Sequence, residues 1–208
     1  MPDWKLEDIY EGAVCGVDEA GRGPWVGPVV AGAVVFLNRN INQDLLNGIN
    51  DSKKLTATKR EMLYKLLLKE EEQGNLTFGI GEASAGEIDS LNILQATFLA
   101  MKRAVQKLKI LPSHALIDGN RLPRDFGCPC SCHIGGDGKS YSIAAASILA
   151  KVYRDNLLKQ LALKYPGYGF EKNAGYGTKE HIEGLKKYGI TPEHRKSYRP
   201  IREIIENS

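Results

Sequence analysis

The sequence predicts an α/β fold in which helices cover a mixed β-sheet. Residues 13–19 and 26–36 are Val-rich and read as a hairpin around a Gly-rich turn, and residues 76–83 follow as a third strand. Short apolar runs at 115–118 and 131–134 then alternate with segments of helical period. Strands in a meander, followed by strands alternating with helices, are typical of this layered architecture.

Three helices are predicted from apolar spacing and capping residues. The first begins at Thr56 or Thr58 and ends before Gly74. The second has Asp89 or Ser90 as its N-cap, and its apolar residues recur at spacings of three and four, which predicts a core face. These residues are Leu91, Leu94, Phe98, Met101, Val105 and Leu108.

The third predicted helix spans residues 141–161. Its first half is apolar on nearly all sides and must therefore be buried. Two or three short helices should follow it. We expect a core at residues 1–163 and a small C-terminal helical segment at residues 164–208, packed on that core.

The composition excludes several classes of protein. Hydrophobic residues make up 42% of the chain and charged residues 25%, which is the balance of a globular protein rather than a disordered or membrane one. No stretch approaches the roughly 18 apolar residues of a membrane span, and the N-terminus has no signal-peptide pattern. We expect a cytoplasmic monomer without membrane association.

Basic residues concentrate near the C-terminus. Residues 164–202 contain nine Lys or Arg and four Glu, so the remainder of the chain is slightly acidic. Such a segment suits a surface that contacts phosphates, although a basic run is more often only a solvated face. Charge alone does not decide between these two interpretations.

Acidic residues stand where predicted strands end and glycines follow. Asp18 and Glu19 close the first strand before a Gly-rich turn. Asp118 closes a later strand, and Asp137 lies between a strand and the long helix. Neighbouring strand side chains point to opposite faces, so Asp18 and Glu19 can share a site only where the strand gives way to the turn. Two acids alone favour a solvated strand end, but four such acids indicate more than scattered surface charge.

A cluster of carboxylates needs cations because like charges repel, and oxygen-only ligands suit Mg²⁺ or Mn²⁺. Two such ions about 4 Å apart can activate a water and stabilise the leaving oxygen of a phosphoryl displacement. The sequence has no Walker loop, HExxH pattern or GxSxG elbow that would support another class of enzyme. The acids therefore predict a nuclease site.

Motifs along nearly the whole chain resemble one family, the type 2 ribonucleases H, in their ribonuclease HII form. The resemblance implies an RNase H-like fold with a mixed five-stranded sheet, and a C-terminal helical segment that binds substrate. The motifs are DEAGRGP at 18–24, DSKKL at 51–55, EIDSLNILQAT at 87–97, IDGN at 117–120, GD at 136–137, AAASILAKVYRD at 144–155, GYGTKEH at 175–181 and HRKSY at 194–198.

The resemblance also implies an activity. The expected reaction is cleavage of the RNA strand of RNA/DNA hybrids, and cleavage on the 5′ side of single ribonucleotides in duplex DNA, with two Mg²⁺ or Mn²⁺ ions. The GRG turn matches one whose backbone approaches the 2′-hydroxyl, which distinguishes RNA from DNA. Matching positions are Asp18, Glu19, Asp118 and Asp137 for metal and catalysis, Gly21, Arg22 and Gly23 for the turn, Tyr176 for the ribose–deoxyribose junction, and Lys53 near a substrate phosphate.

Two residues depart from the family pattern. Gly135 stands where a lysine is usual, so a phosphate contact there is missing or is replaced, for example by Lys139. Trp25 replaces a smaller apolar residue, and the sequence leaves open whether it packs or contacts substrate. The sibling ribonuclease HIII carries an additional N-terminal domain, and only a dozen or so residues precede the first strand here, which favours the HII form.

Asp155 lies in a family motif on the long helix and competes with Asp137 as the fourth acid. We favour Asp137, because unpaired N–H groups and the positive end of the helix dipole stabilise a carboxylate before a helix. Asp155 instead has Lys151 and Lys159 four residues away on either side, the spacing of solvent-facing ion pairs.

Two further alternatives stay open from the residues. Cys128, Cys130, Cys132 and His133 invite a zinc hypothesis, but CxC spacing is poor for zinc, which favours free thiols. A non-catalytic binding module or a DNA-only nuclease on the same scaffold is the functional alternative. The presence of all four acids argues against the former, and the GRG turn with Tyr176 argues against the latter.

Overall fold

The structure, a computed structural model, describes residues 1–50, 52 and 55–206. Its sheet is mixed, as predicted. The five strands are β1 (Val14–Ala20), β2 (Val29–Phe36), β3 (Leu76–Ala83), β4 (His114–Asp118) and β5 (Cys130–His133). They lie in the order β3-β2-β1-β4-β5. The pairs β1–β2 and β2–β3 are antiparallel, whereas β1–β4 and β4–β5 are parallel.

Helices cover both faces of this sheet. Two 3₁₀ turns lie at Glu7–Ile9 and Gly136–Gly138. The α-helices are α1 (Gln43–Gly48), α2 (Ala57–Glu72), α3 (Ala85–Leu91), α4 (Ile93–Gln106), α5 (Tyr141–Lys164), α6 (Phe170–Asn173), α7 (Lys179–Tyr188) and α8 (Arg199–Glu206).

Helix α5 lies directly on one face of the sheet because glycines of two strands leave room for its backbone. A Cβ at Gly16 would lie 2.1 Å from the backbone nitrogen of Ile143, and a Cβ at Gly32 would lie 2.5 Å from the carbonyl oxygen of Ala146. Close backbone approach of this kind is a use of glycine inside strands. The first half of α5 is buried, as its apolar sequence predicts.

Helix α4 packs on the opposite face in the same way. A Cβ at Gly79 would lie 2.0 Å from the carbonyl oxygen of Ala104, and a Cβ at Gly81 would lie 2.1 Å from that of Ala100. Only small residues fit between helix and strand at such short separations. The most closely packed face of α4 therefore consists of alanines.

The predicted stripe of large residues on α4 is only partly right. Met101 and Val105 are buried in the core, and Phe98 and Leu108 pack against it. Leu91 is 41% exposed because it ends the preceding helix. Spacing alone could not show that alanines opposite glycines would occupy the centre of the face.

The predicted N-caps of α4 are wrong. Asp89 and Ser90 belong to α3, and Asn92 caps α4 from a conformation with positive φ (69°) and extended ψ (162°) by accepting hydrogen bonds from Leu94 and Gln95 backbone N–H groups. A residue with positive φ between two helices turns the chain sharply. The helix start predicted at Thr56 is confirmed, since Thr56 caps α2.

Three short helices, α6 to α8, follow α5, as predicted. They share a small core with the rest of the chain, in which Phe170, Leu185 and Ile201 pack with Val26 and Leu158. The boundary after residue 163 stays a prediction. Across the described residues, no helix is both long and apolar enough to span a membrane.

The contact between α3 and α4 makes a pH-dependent contribution to stability. Glu87 pairs with Arg103 at 2.7 Å and accepts the backbone N–H of Ser84 in a capping box. Hydrogen bonds from Arg103 and then from Ser84 lower the pKa of Glu87 to about 2. Because the folded pKa lies below the ordinary value of 4.5, this contribution is complete above about pH 4.5 and is lost as the pH falls towards 2.

We expect Glu87→Gln to lower stability by about 0.5–1 kcal/mol at pH 7, because the amide still accepts the Ser84 N–H and only the half-exposed ion pair with Arg103 is lost. The difference in Tm between Glu87→Gln and the wild type should close as the pH approaches 2. Thermal unfolding followed by circular dichroism from pH 7 to pH 2 measures it. A gap that stays constant over this range contradicts the assignment.

Candidate active site

Three aspartates converge at one end of the sheet, on the face covered by α5. Asp18 lies near the end of β1, Asp118 is the last residue of β4, and Asp137 lies in the 3₁₀ turn before α5. Each offers a carboxylate oxygen within 4.8 Å of the others. Strand alternation explains the convergence, because Asp18 follows Gly16, and Asp118 follows Leu116, on the face that contacts α5.

The three carboxylates are held by specific contacts and are largely removed from solvent. Asp18 is 4% exposed and Asp137 is 7% exposed. Asp118 accepts the backbone N–H of Gly136 at 2.7 Å, which ties β4 to the turn carrying Asp137. Asp18 accepts the backbone N–H of Glu19 at 2.7 Å, and the Ser147 side chain lies next to it.

Burial raises the pKa of Asp18 well above its usual range, and the nearby charges of Glu19 and Asp118 raise it further. The protein alone therefore disfavours the charged form of Asp18. A bound cation would remove this penalty. The donor atoms are all carboxylate oxygens, so the site fits a hard divalent cation such as Mg²⁺ or Mn²⁺.

Glu19 lies beside this cluster rather than in it. The strand does not give way before Glu19, which pairs with Ala31 of β2 within the regular ladder. Its side chain therefore points to the face opposite that of Asp18, where it lies 3.2 Å from the guanidinium of Arg22. It still borders a pocket shared with Asp118. Of the four predicted acids, the structure therefore brings the three aspartates together and places Glu19 at the edge of their cluster.

The GRG turn and Tyr176 form a pocket next to the acids. Gly21 has a φ of 93°, and a Cβ there would lie 1.9 Å from Nε of Arg154, so this position requires glycine. A Cβ at Gly23 would lie 3.4 Å from the Tyr176 ring. Tyr176 is 53% exposed and lines the pocket together with Glu19 and the turn. The structure therefore brings the predicted turn and the predicted tyrosine into one site.

Other sequence predictions have separate outcomes. Lys53 lies outside the described residues; its neighbour Ser52 borders the same pocket and accepts a hydrogen bond from Ser147 at 2.8 Å. Gly135 adopts a left-handed conformation (φ 64°), which a lysine would strain. Lys139 donates to the carbonyl of Ile134 at 2.8 Å.

Trp25 packs within the protein. Its ring covers Gly177, where a Cβ would lie 2.0 Å from the indole, and it also contacts the His181 ring. The residue therefore supports the chain on the C-terminal side of Tyr176.

Among the described residues, the cysteines do not form a metal site. All four are free thiols. Cys130 and Cys132 occupy β5, whereas the His133 ring is hydrogen-bonded to Ser131 on the other face of that strand. In the part of the chain described, the three aspartates are the only group of at least three candidate ligands within metal-binding distance.

Three polar residues of α5 that were not predicted as site residues also reach this site. Ser147 contacts Asp18, and Lys151 and Arg154 border the pocket of the GRG turn. They stand at i, i+4 and i+7 on a helix whose first half is otherwise mostly apolar. That spacing defines one helical face and could have identified them. Asp155 lies one turn beyond Lys151 and pairs with it at 2.5 Å, but it borders a different pocket and is not part of the carboxylate cluster.

Comparison with known proteins agrees with this geometry. A family model described as ribonuclease HII matches residues 15–201. A ribonuclease HII from Rhodospirillum rubrum is 52% identical over 208 residues, covering 100% of this chain and 94% of its own. A ribonuclease HII from Jannaschia sp. (strain CCS1) is 50% identical over 204 residues, covering 98% of each chain.

Solved structures share the fold. Ribonuclease H2 from Pyrococcus horikoshii OT3 superposes with a TM-score of 0.75 at 30% identity, covering 94% of this chain and 98% of that one. Bst-RNase HIII in complex with Mn²⁺ gives a TM-score of 0.71 at 17% identity, covering 97% of this chain and 71% of that one, and shows the fold alone.

The sheet order, the flanking helices and the cluster of carboxylates define an RNase H-like nuclease. Within that class, one family is identified by the matching family model. Relatives that are about 50% identical over nearly their full length belong to the same family. The chain belongs to the ribonuclease HII family, and it is a type 2 ribonuclease H, an endonuclease.

Proposed function

We propose that this protein cuts the RNA strand of RNA/DNA hybrids and also cuts on the 5′ side of single ribonucleotides embedded in duplex DNA. The proposal includes two divalent cations, Mg²⁺ or Mn²⁺, and a cytoplasmic, monomeric enzyme. The observation that carries it is the convergence of three aspartate carboxylates within 4.8 Å, next to the pocket of the GRG turn and Tyr176.

The cations would be held by the carboxylates of Asp18, Asp118 and Asp137. Glu19 would add a fourth carboxylate ligand from the edge of this cluster. When bound, divalent cations activate a water for attack on phosphorus and offset the charge that develops on the phosphate oxygens. The chain fixes the carboxylates beforehand, because Asp118 accepts the Gly136 N–H and Asp18 accepts the Glu19 N–H. Such prior positioning reduces the reorganisation that the reaction requires.

The neighbouring pocket would provide selectivity for ribose. The 2′-hydroxyl is the group that distinguishes RNA from DNA at a given position. Gly21 and Gly23 let the turn lie close to Arg154 and Tyr176, and the backbone of this turn would contact the substrate sugar. Tyr176 presents an exposed ring against Gly23 and would contact the next sugar. Lys53 would contact a phosphate near the same pocket, as the family resemblance implies.

One gel assay tests this proposal. Duplex DNA with a single ribonucleotide should be cut on the 5′ side of that ribonucleotide when Mg²⁺ or Mn²⁺ is present, leaving a 3′-hydroxyl and a 5′-phosphate. An all-DNA duplex of the same sequence is the control substrate. Activity should disappear in excess EDTA and return when the cation is restored, because the crowded carboxylates need its charge. Full activity in EDTA, or equal cutting of the all-DNA duplex, contradicts the proposal.

A further inference from the structure

We infer that two consecutive residues of the C-terminal segment, His194 and Arg195, position the two parts of the pocket proposed to recognise ribose. These parts are the GRG turn and Tyr176. Arg195 holds the turn at Gly21–Gly23, and His194 holds Tyr176 through His181. The inference rests on the proposed function of that turn and of Tyr176.

The C-terminal segment reaches the turn through backbone pairing. Residues 25–27 and 193–195 run antiparallel, with an isolated bridge between Val26 and His194. The Arg195 N–H donates to the carbonyl of Trp25 at 2.8 Å, and the Gly27 N–H donates to the carbonyl of Glu193 at 2.9 Å. These two hydrogen bonds fix the register, so Arg195 is aimed at the GRG turn.

Arg195 is fully buried, and its guanidinium donates to three carbonyl oxygens of this region. Nη2 donates to Gly21 at 2.6 Å, Nη1 to Arg22 at 2.9 Å and Nε to Gly27 at 3.0 Å. The Tyr198 hydroxyl adds a short hydrogen bond to the Arg22 carbonyl. A planar fork of N–H groups can satisfy several carbonyls at once, which a lysine cannot do with the same geometry.

These contacts orient the peptide planes of the turn. Both peptide bonds, Gly21–Arg22 and Arg22–Gly23, are trans, so each N–H points away from the carbonyl of its own plane. With both carbonyls turned towards Arg195, the N–H groups of Arg22 and Gly23 point away from it. Within the described chain, neither N–H donates to another group. Arg195 thereby presents two free donors to the substrate.

A directed chain of hydrogen bonds links His194 to Tyr176. The backbone N–H of Thr191 donates to Nδ1 of His194 at 2.9 Å, so Nδ1 is unprotonated and Nε2 carries the hydrogen. Nε2 of His194 lies 3.1 Å from Nε2 of His181, which must therefore accept. Nδ1 of His181 then carries the hydrogen and donates to the carbonyl of Tyr176 at 2.9 Å.

The surroundings of His181 and His194 keep both rings uncharged in this chain of hydrogen bonds, which we call the histidine relay. His181 and His194 are 0% and 1% exposed. Burial lowers the pKa of both, to about 4 for His194, where the neighbouring His181 lowers it further. Both rings are packed against Tyr168 and Phe170. One defined arrangement of protons thus fixes the Tyr176 backbone beside the GRG turn.

The first test is Arg195→Lys, which keeps the positive charge and removes the fork. Turnover at a single ribonucleotide in duplex DNA should fall about 10²-fold, the scale of misplacing a positioning group by about 1 Å. The Kd for an all-DNA duplex should stay unchanged. Leu67→Ala, a cavity variant in the core under α2, is the control for lost stability. A loss of turnover in Arg195→Lys no larger than that in Leu67→Ala overturns the inference.

The second test uses rescue at His181. His181→Leu should lose turnover at the single ribonucleotide, whereas His181→Asn should recover much of it, because the amide nitrogen stands close to the position of Nδ1 and can donate to the Tyr176 carbonyl. Equal activity of the two variants, at either level, overturns the role of the relay.

A measurement on the wild type covers the case in which these variants do not fold. ¹⁵N NMR of the imidazole rings near neutral pH should find His194 protonated at Nε2 and His181 protonated at Nδ1. Any other assignment, or a charged ring, overturns the relay.

Tyr176→Ala, assayed in parallel, distinguishes a failure of the proposed pocket function from a failure of the proposed positioning by His194 and Arg195. If it leaves turnover at the single ribonucleotide intact, the proposed function of the pocket is wrong, and the positioning inference falls with it. If Tyr176→Ala loses turnover while Arg195→Lys and His181→Leu do not, only the positioning inference is overturned.

Discussion

Asp137→Asn should lower turnover by about 10²–10³-fold, the scale seen when one preorganised charge-stabilising group is removed from an active site. A neutral amide keeps the shape of Asp137 but cannot supply the negative charge that the cations need. Asp137 is 7% exposed and lies in the 3₁₀ turn that Gly136 ties to Asp118. Single-turnover cleavage of a duplex with one ribonucleotide, at saturating Mg²⁺, measures the effect.

Thermal unfolding shows whether Asp137→Asn acts through the fold. Removing one of three crowded carboxylates relieves repulsion, so the variant without added metal should be at least as stable as the wild type. Mg²⁺ should raise the Tm of the wild type more than that of the variant, because ligand binding stabilises the folded state in proportion to affinity. If the Tm of Asp137→Asn fell strongly without metal, its loss of turnover would be explained by unfolding instead.

Asp155→Asn, on the helix that follows Asp137, is the matched control. Asp155 pairs with Lys151 four residues earlier and is about one quarter exposed. Such pairs contribute about 0.3–0.5 kcal/mol, so the variant should lose a little stability and keep its response to Mg²⁺. Abolished turnover in folded Asp155→Asn, together with an active Asp137→Asn, would reverse the assignment of the third aspartate.

Strand period predicted much of this site. Val-rich and short apolar runs placed the five strands close to their observed bounds, and the acids at the ends of β1 and β4 were expected to meet. The same period could have separated Asp18 from Glu19, because the chain stays in the β1 ladder through Ala20. The glycines after Glu19 suggested that the strand would end before Glu19. In the structure, the pairing of β1 with β2 continues through Ala20.

Long-range register could not be predicted from the sequence. His194 and Arg195 were noticed only within a basic segment and within the HRKSY motif, without a role, yet the structure buries both. Their contacts depend on pairing between residues 25–27 and 193–195, which are far apart in the chain. Local spacing carries no signal for such pairing. Arg195 therefore does not belong to the basic surface that its sequence neighbourhood indicated.

Tyr176→Ala should lower cleavage at a single ribonucleotide by about 10–10²-fold, or about 1.4–2.7 kcal/mol of transition-state stabilisation, while duplex binding changes little. The ring is 53% exposed and lies against Gly23, so its removal creates no core cavity and leaves the GRG turn in place. Phosphate contacts by Lys and Arg elsewhere should still hold the duplex. The loss should therefore appear in turnover rather than in Kd.

Tyr176→Phe separates the ring from the hydroxyl. If the ring stacks on the sugar that follows the ribonucleotide, Tyr176→Phe should keep most of the activity that Tyr176→Ala loses; if the hydroxyl is needed, both variants should lose turnover alike. Turnover and Kd are compared for both variants on a duplex with one ribonucleotide and on a continuous RNA/DNA hybrid. Equal losses in turnover and in binding for Tyr176→Ala on both substrates would mean that Tyr176 is a general contact and that the junction is read elsewhere.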